Sequence, residues 1–494
     1  MNSETTQDTA LRALATALPA GVFDTTAPAR YAASMDNLRL SRLPAAVIRP
    51  RAEADIGVVL TLANTHRVPV TVRGAGSATT GTTSPVPGGW VLDLAAWTAV
   101  HVDPLARMAS VQPGATVAAV DAAARAHGLM YPPDPGSAKH ATIGGSIATN
   151  AGGLRGARYG VTRDYVLALE GFLPTGAKVR WGAPLRKFAA GYNLRDLWIG
   201  SEGQLGVITG ATLRLLPAPA ATATLLGAAA DEATLIGMVE AILRSGLDPS
   251  AMEFLDRRTV ECTLRFWGER DPARLRGIPA AIASKLDPDL PPALLLLELD
   301  GEAASVQRRA AALEDLLRPH LLALARAETA AGAEDLWSIR RSCSQAMFLW
   351  GDGKINEDVV VPVHAYRELF ALIAATQQAI DLPMPTFGHA GDGNFHVHIM
   401  FTQADAGQRG RAGQAIAELL RGVLALGGAI SGEHGIGLAK SPFVELQLGP
   451  AERAAMQAIK RALDPNNILN PDKIWTPTDV WQFPRADVHL PWDH

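Results

Sequence analysis

The sequence predicts an α+β chain: an N-terminal domain of mixed strands and helices, a second α+β domain, and a C-terminal helical segment. Three observations carry this. The chain has 494 residues, about three domains at ~150 residues each, and its 48% hydrophobic against 19% charged residues can fill a core where a disordered chain could not. Residues 44–94 read as strand, helix, strand. Beyond residue 224, apolar residues at helical spacing alternate with strand-like runs. The expected boundaries are 1–220, 221–430 and 431–494.

Taken in order, AAVIRP is β-branched and bounded by prolines, ADIGVVLTLANTH carries helical periodicity, and VPVTVRG returns to alternation, the start of a βαβ unit. A Gly/Thr-rich loop, Arg73 to Gly81, leads to the strand WVLDL and to a strand-helix pair over 109–128 punctuated by Pro113 and Gly114. Strands are expected at VLALEGFLP, at VRW and within 198–216, and APAATAT (218–224) reads as the crossing into the second domain. There, ATLIGMVEAILRSG, SVQRRAAALEDLLRPHLL and HAYRELFALIAATQQAI read as helices and AMEFLD and ALLLLELDG as strands. The tail is helical from Glu452 to Pro465. Met347, Phe348, Leu349 and Trp350 form an apolar stripe expected in the core.

Composition excludes several function classes. Lys+Arg 45 against Asp+Glu 49 leaves no electrostatic footprint for nucleic acid. Two cysteines in no CxxC arrangement, Cys262 and Cys343, exclude a disulfide framework and a cysteine-ligated iron–sulfur cluster. The first ten residues lack the basic and apolar regions of a secretory leader, and the longest apolar helical pattern is interrupted by Glu418 and Arg421, so no transmembrane segment is expected. A cytoplasmic chain, at most peripheral to the inner membrane, is the expectation.

Chemistry first shows in the glycines. RGAGSATTG spaces its third glycine too late for a Rossmann fingerprint, and no Walker loop is present. It does offer unshielded backbone N–H groups with the hydroxyls of Ser77, Thr79 and Thr80 nearby, which can cradle a diphosphate. Two further glycine-rich segments, Thr142 to Gly153 and Ile199 to Thr209, point to a large, elongated ligand.

Read together, RGAGSATTG, PPDPGSAKHATIGGSIATNAGG, YGVTRDYVLALE and GSEGQLGVIT resemble the FAD-binding domain of the vanillyl-alcohol oxidase superfamily. HAGDGNFH, GEHGIG and DPNNILNP narrow the resemblance to its D-2-hydroxyacid dehydrogenase branch, over Tyr31 to Trp475. That branch holds D-lactate and D-2-hydroxyglutarate dehydrogenases and the flavin subunit of glycolate oxidase. The implied fold is a two-subdomain FAD-binding domain, an α+β cap domain for the substrate, and a C-terminal segment returning to the flavin.

The resemblance implies that Arg73, Gly74, Ala75, Gly76, Ser77, Ala78 and Thr79 hold the FAD pyrophosphate. It implies that Pro133, Asp134, Ser137, Thr142, Gly144, Gly145, Thr149, Asn150 and Gly152 line flavin and ribityl. Glu202, Gly206, Val207, Ile208 and Asn470 would surround the rest. With only Ala, Ser and Thr in the diphosphate loop and His140 the nearest alternative, non-covalent FAD is expected.

A second constellation gathers His389, His396 and His398 within ten residues, followed by Glu433 and His434. If FHVHIM is a strand, His396 and His398 share one face, with His389 brought near by the GDG turn. Any one of these histidines is more readily a hydrogen-bonded structural residue than a ligand; as a set, imidazoles with a carboxylate suit a divalent transition metal such as Zn or Mn. The resemblance assigns His389, His396 and Glu433 to the metal and His434 to proton abstraction. LWSIRRSCSQ is similar to the segment whose arginine clamps the substrate carboxylate, which points to Arg340, with Ser344 one turn on and Lys354 matching an active-site lysine. Arg341 is expected to face solvent, and His398 to contact substrate or pack rather than ligate.

The implied activity is FAD-dependent oxidation of a small D-2-hydroxyacid, with electrons passed to a separate acceptor, a quinone, a cytochrome, an electron-transfer flavoprotein or an iron–sulfur subunit, in preference to oxygen. A homodimer is left open. The competing expectations are a non-catalytic flavin-binding subunit of a membrane-associated oxidase and a relative doing non-redox chemistry on an ether-lipid precursor.

Overall fold

The computed structural model describes residues 3–287, 289–483, 485, 486, 488 and 490. They fall into two units: Met1–Gly152 with Val161–Pro217 and Glu433–His494, and Gly153–Gly160 with Ala218–Gly432. The sequence divided the chain at three linear stretches; the structure instead gives the eight residues 153–160 to the second unit and the tail to the first.

In the first unit the expected βαβ start is present. Ala46–Ile48 and Val70–Arg73 both run parallel to Trp90–Asp93, and the helix Glu53–His66 makes the crossover that parallel strands require. Asp55 accepts backbone N–H groups from Arg51 and Ala52 at the helix start, and Arg67 ends it at φ +53°. The helix buries Ile56, Val59, Leu60 and Ala63 against Trp90 and Leu92. An N-terminal helix the sequence reading did not identify, Ser3–Ala17, adds Ala10 and Leu14 to the same core.

The tail closes the free edge of this sheet: Val70 N–H donates to Ile468 O at 2.7 Å and Asn470 N–H to Val70 O at 2.8 Å. A second, five-stranded antiparallel sheet orders Val100–Asp103, Met108–Val111, Val207–Arg214, Val166–Phe172 and Lys178–Gly182. The segment read as a glycine-rich ligand loop contains a short helix, Ile143–Thr149, started by Thr142 Oγ1 accepting from Gly145 N and ended by Asn150 at φ +53°.

Buried charge marks the tail of this unit. Lys473 is 0% exposed and its Nζ has no hydrogen-bond partner among the described residues. Burial, reinforced by Arg42, pulls its amine down to about 8 against the opposing pull of Asp36, Asp472 and Glu202. Because the unfolded chain binds this proton more tightly, stability rises with pH from about 8 towards 10.5, and the protonated form weakens the fold below that window. Lys473→Met should therefore raise the melting temperature at pH 7 and flatten the rise above pH 8, with a cost relieved on the order of 3 kcal/mol. Thermal melts of both proteins from pH 6 to 10 check this.

The second unit is built on a seven-stranded sheet in the order Ala323–Arg326, Ala221–Ala229, Ala293–Gly301, Ala251–Leu255, Thr386–His389, Asn394–Phe401, Gly353–Val360. Every pairing is antiparallel. Half of the expected crossing APAATAT is already strand, because Ala221 to Thr224 pair with Gly301 to Glu298. One face of the sheet is aromatic, where Phe254 and Phe395 meet Phe370 and Tyr366 of the helix Tyr366–Ile380. The helices Glu232–Ser245 and Ala303–Leu317 form where their periodicity places them, the first capped by Asp231 and stopped by Gly246 at φ +69°. Residues 153–160 are pinned here by Arg158 Nη1 at 2.9 Å from Asp300 Oδ1 and by Tyr159 OH donating to Asp300 Oδ2 at 2.8 Å. Among the described residues no helix is long and apolar enough to cross a membrane.

The apolar stripe departs from expectation. Met347 is buried, but Phe348 and Leu349 are 47% and 41% exposed, because a 3-10 turn, Met347–Trp350, follows the helix Ala330–Ala346 and breaks its buried face.

Candidate active site

The opposite face of the seven-stranded sheet carries the polar chemistry. Antiparallel pairing puts directly opposed residues on one face, and the register opposes Asn356 with His398, Asp358 with His396, His396 with Phe387, and His389 with both Asn394 and Glu253. The spacing argument for His396 and His398 therefore holds, and the turn after His389 does bring it alongside. The rings of His389 and His396 lie 5.3 Å apart at 90°, with a nitrogen of each within 4.8 Å of the other.

Each imidazole has an acidic neighbour. His389 Nδ1 lies 2.6 Å from Glu253 Oε1; a carboxylate only accepts, so Nδ1 carries the proton and the lone pair of the neutral ring is on Nε2. Glu253 is fully buried. Burial opposes its ionisation, but His389 and Arg340 outweigh it and hold the carboxyl below its usual range. His396 Nδ1 is 3.9 Å from Asp358 Oδ1. Asp358 accepts from Asn394 Nδ2 at 2.6 Å, from Ser431 Oγ at 3.0 Å and from Gly432 N at 2.9 Å, which holds Ser431 and Gly432 in place. His398 is buried and stacked on Phe387 at 4.9 Å.

The helix Ala330–Ala346 lies over this face, and its three- and four-residue spacing aligns Trp337, Arg340 and Ser344. Trp337 Nε1 donates to Glu298 at 3.1 Å. Arg340 Nε donates to Glu253 Oε2 at 2.5 Å, and its guanidinium lies 4.2 Å from the Phe387 ring centre. Ser344 Oγ accepts from Lys354 Nζ at 2.8 Å, and the same ammonium lies 4.7 Å from the Phe348 ring centre. Lys354 thus joins Ser344, which lies one helical turn from Arg340. Arg341 is solvent-facing and pairs with Glu334.

The glycine-rich segments converge within the first unit. Arg73 Nη1 donates to Met35 O at 2.7 Å, and the loop folds over its guanidinium: Gly76 has φ +76° and a Cβ there would collide with Arg73. A Cβ on Gly74 would overlap Thr142 Oγ1, so loop 73–79 and helix 143–149 are in contact. Ala78 O accepts from Asn37 N at 2.9 Å. The hydroxyls of Thr79 and Ser146 are buried without a hydrogen-bond partner among the described residues. Unspent polar atoms beside close-packed glycines fit an elongated, oxygen-rich cofactor such as FAD.

Other expected cofactor residues are spent on the protein. Glu202 accepts from Ile436 N at 2.6 Å and Gly437 N at 2.8 Å, and Asn470 Nδ2 donates to Thr82 O at 3.0 Å and Glu202 O at 2.7 Å. Val207 and Ile208 are buried strand residues, and Gly206 packs directly on Trp198. Pro133, Asp134 and Ser137 lie between the strand Leu129–Met130 and the helix Ile143–Thr149, where Ser137 O accepts from His140 and Ala141. Gly144 packs on Pro113, and Thr149 Oγ1 donates to Gly145 O. A Cβ on Gly152 would come 2.9 Å from Glu433 Oε2. Beside it, His434 Nε2 is 3.9 Å from Glu433 Oε1, and Thr80 Oγ1 donates to His434 O at 3.3 Å.

Sequence reading missed Glu253, Asp358 and Glu298. For Glu253 the signal was available, a single acid inside an otherwise apolar strand where an unpaired charge would be costly. Glu298 and Asp300 similarly close the apolar run ALLLL, whereas Asp358 lies in the polar run KINED and gave no such signal.

Residues 44–182 match an FAD binding domain and residues 218–474 match the C-terminal domain of FAD linked oxidases. The chain is 37% identical to glycolate oxidase subunit GlcD of Bacillus subtilis, over 88% of this chain and 89% of that protein. It is 34% identical to a D-lactate dehydrogenase of Anaerostipes hadrus, over 87% and 89%. In structure it is similar to substrate-bound p-cresol methylhydroxylase, with TM-score 0.78 at 17% identity over 95% of this chain and 96% of that one.

Proposed function

The chain belongs to the FAD-linked oxidases, and from that premise we propose that it oxidises a D-2-hydroxyacid of the D-lactate, D-2-hydroxyglutarate or glycolate class to the 2-oxoacid. The observation that carries the reading is the perpendicular pair His389 and His396 on the sheet face that also bears Glu253 and its partner Arg340. The names of the relatives, D-lactate dehydrogenase and glycolate oxidase subunit, favour the same substrate class.

In this reading His389 and His396 hold a divalent ion, Zn or Mn, with Glu433 as third ligand. When bound, FAD would supply the acceptor for the C2 hydrogen leaving as hydride, and the ion would make the substrate hydroxyl more acidic. Arg340 has its Nε committed to Glu253 and offers its remaining N–H edge to the substrate carboxylate. Lys354, held by Ser344, adds a second positive charge. His434 takes the hydroxyl proton on its imidazole. The electrons leave to a separate acceptor, a quinone, cytochrome, electron-transfer flavoprotein or iron–sulfur subunit.

Anaerobic addition of D-lactate, glycolate or D-2-hydroxyglutarate to the yellow protein should bleach the flavin, and L-lactate should not. Failure of all three acids to reduce the flavin overturns the proposal.

A further inference from the structure

We propose that Glu253 is a positioning residue that sets the metal-facing nitrogen of His389 and the substrate-facing edge of Arg340 as one unit, an inference that rests on the function proposed above. Its carboxylate has two oxygens and two clients. Oε1 faces His389 Nδ1 at 2.6 Å and Oε2 accepts from Arg340 Nε at 2.5 Å. Both side chains sit on elements that leave them other orientations: His389 ends a strand just before a turn, and Arg340 projects from a helix over the sheet. With Nδ1 committed, His389 can ligate only through Nε2. With Nε committed and Phe387 beneath the guanidinium, Arg340 has only its Nη edge to offer.

A buried Arg–Glu pair alone is weak evidence for stability, and it would need no histidine. The third member makes the arrangement purposeful: a carboxylate behind a ligating imidazole fixes its tautomer and raises its basicity. Here that carboxylate also holds the arginine assigned to the substrate, so the ligand and the clamp share one support.

The chemistry of an amide separates this role from a structural one. In Glu253→Gln one oxygen still accepts, but the other position becomes an NH₂ donor: facing Arg340 it meets another donor, and facing His389 it makes Nδ1 the acceptor and moves the ring proton to Nε2, the nitrogen that would ligate. The variant can hold Arg340 or the ligating tautomer of His389, not both. Two probes read the two clients separately: Mn²⁺ titrated into FAD-loaded, metal-free protein reports His389, and oxalate binding to the same metal-free protein reports Arg340. Glu253→Gln should weaken Mn²⁺ by ~10- to 100-fold, or oxalate by a comparable factor, and should raise KM for D-lactate more than it lowers kcat. Glu253→Asp keeps both acceptors and the charge, and should recover at least part of the loss. If Glu253→Gln does not fold, the shortened Glu253→Asp should still shift both constants together.

A lowered melting temperature with unchanged Mn²⁺ and oxalate affinities overturns the inference and leaves the proposed function standing. Wild-type protein that binds neither probe overturns the proposed function itself.

Discussion

Replacing His434 by asparagine should cut turnover of a D-2-hydroxyacid by ~10²- to 10⁴-fold, the usual contribution of a general base, while flavin content and bound metal stay near wild type. The backbone of this segment is held without the ring: Thr80 Oγ1 donates to His434 O, and Glu202 accepts from Ile436 and Gly437. Asparagine therefore removes the proton acceptor and leaves the loop in place. Stopped-flow flavin reduction isolates the step, since a lost base slows reduction and spares reoxidation by an artificial acceptor. Loss of metal from His434→Asn, with Glu433→Gln keeping metal and losing turnover, would reverse the two roles.

His396→Ala should abolish metal binding and turnover together. Its strand keeps its backbone ladder to Gly353–Val360 and Thr386–His389 whatever the side chain, so the variant should fold and retain FAD. What it loses is one of three proposed ligands, and an ion held by two groups exchanges readily. Metal analysis after dialysis, beside the flavin spectrum, makes the comparison. Full-rate turnover by a metal-free preparation would end the metal-assisted scheme.

These experiments converge on residues of unequal visibility in the sequence. His389, His396, Glu433 and His434 stood out because imidazoles and a carboxylate cluster in short motifs. Glu253, about 140 residues upstream of His396, gave only the faint signal of an acid in an apolar strand. It joins them because strand Ala251–Leu255 pairs with Thr386–His389, a long-range register that no local pattern encodes. Asp358 is alike: its place opposite His396 is fixed by the pairing of Gly353–Val360 with Asn394–Phe401.

By itself the sequence determined the βαβ start, the helices with clear caps and periodicity, the glycine-rich segments and the shared face of His396 and His398. These depend on backbone dihedral preference and on periods of two and 3.6 residues, which are local. Only the tertiary structure decided that a helix lies within Thr142 to Asn150, that residues 153–160 leave the first unit, that Phe348 and Leu349 are exposed, and that Glu253 serves both His389 and Arg340. Each depends on which distant strand or helix supplies the partner, and a buried charge is tolerated only where that partner arrives.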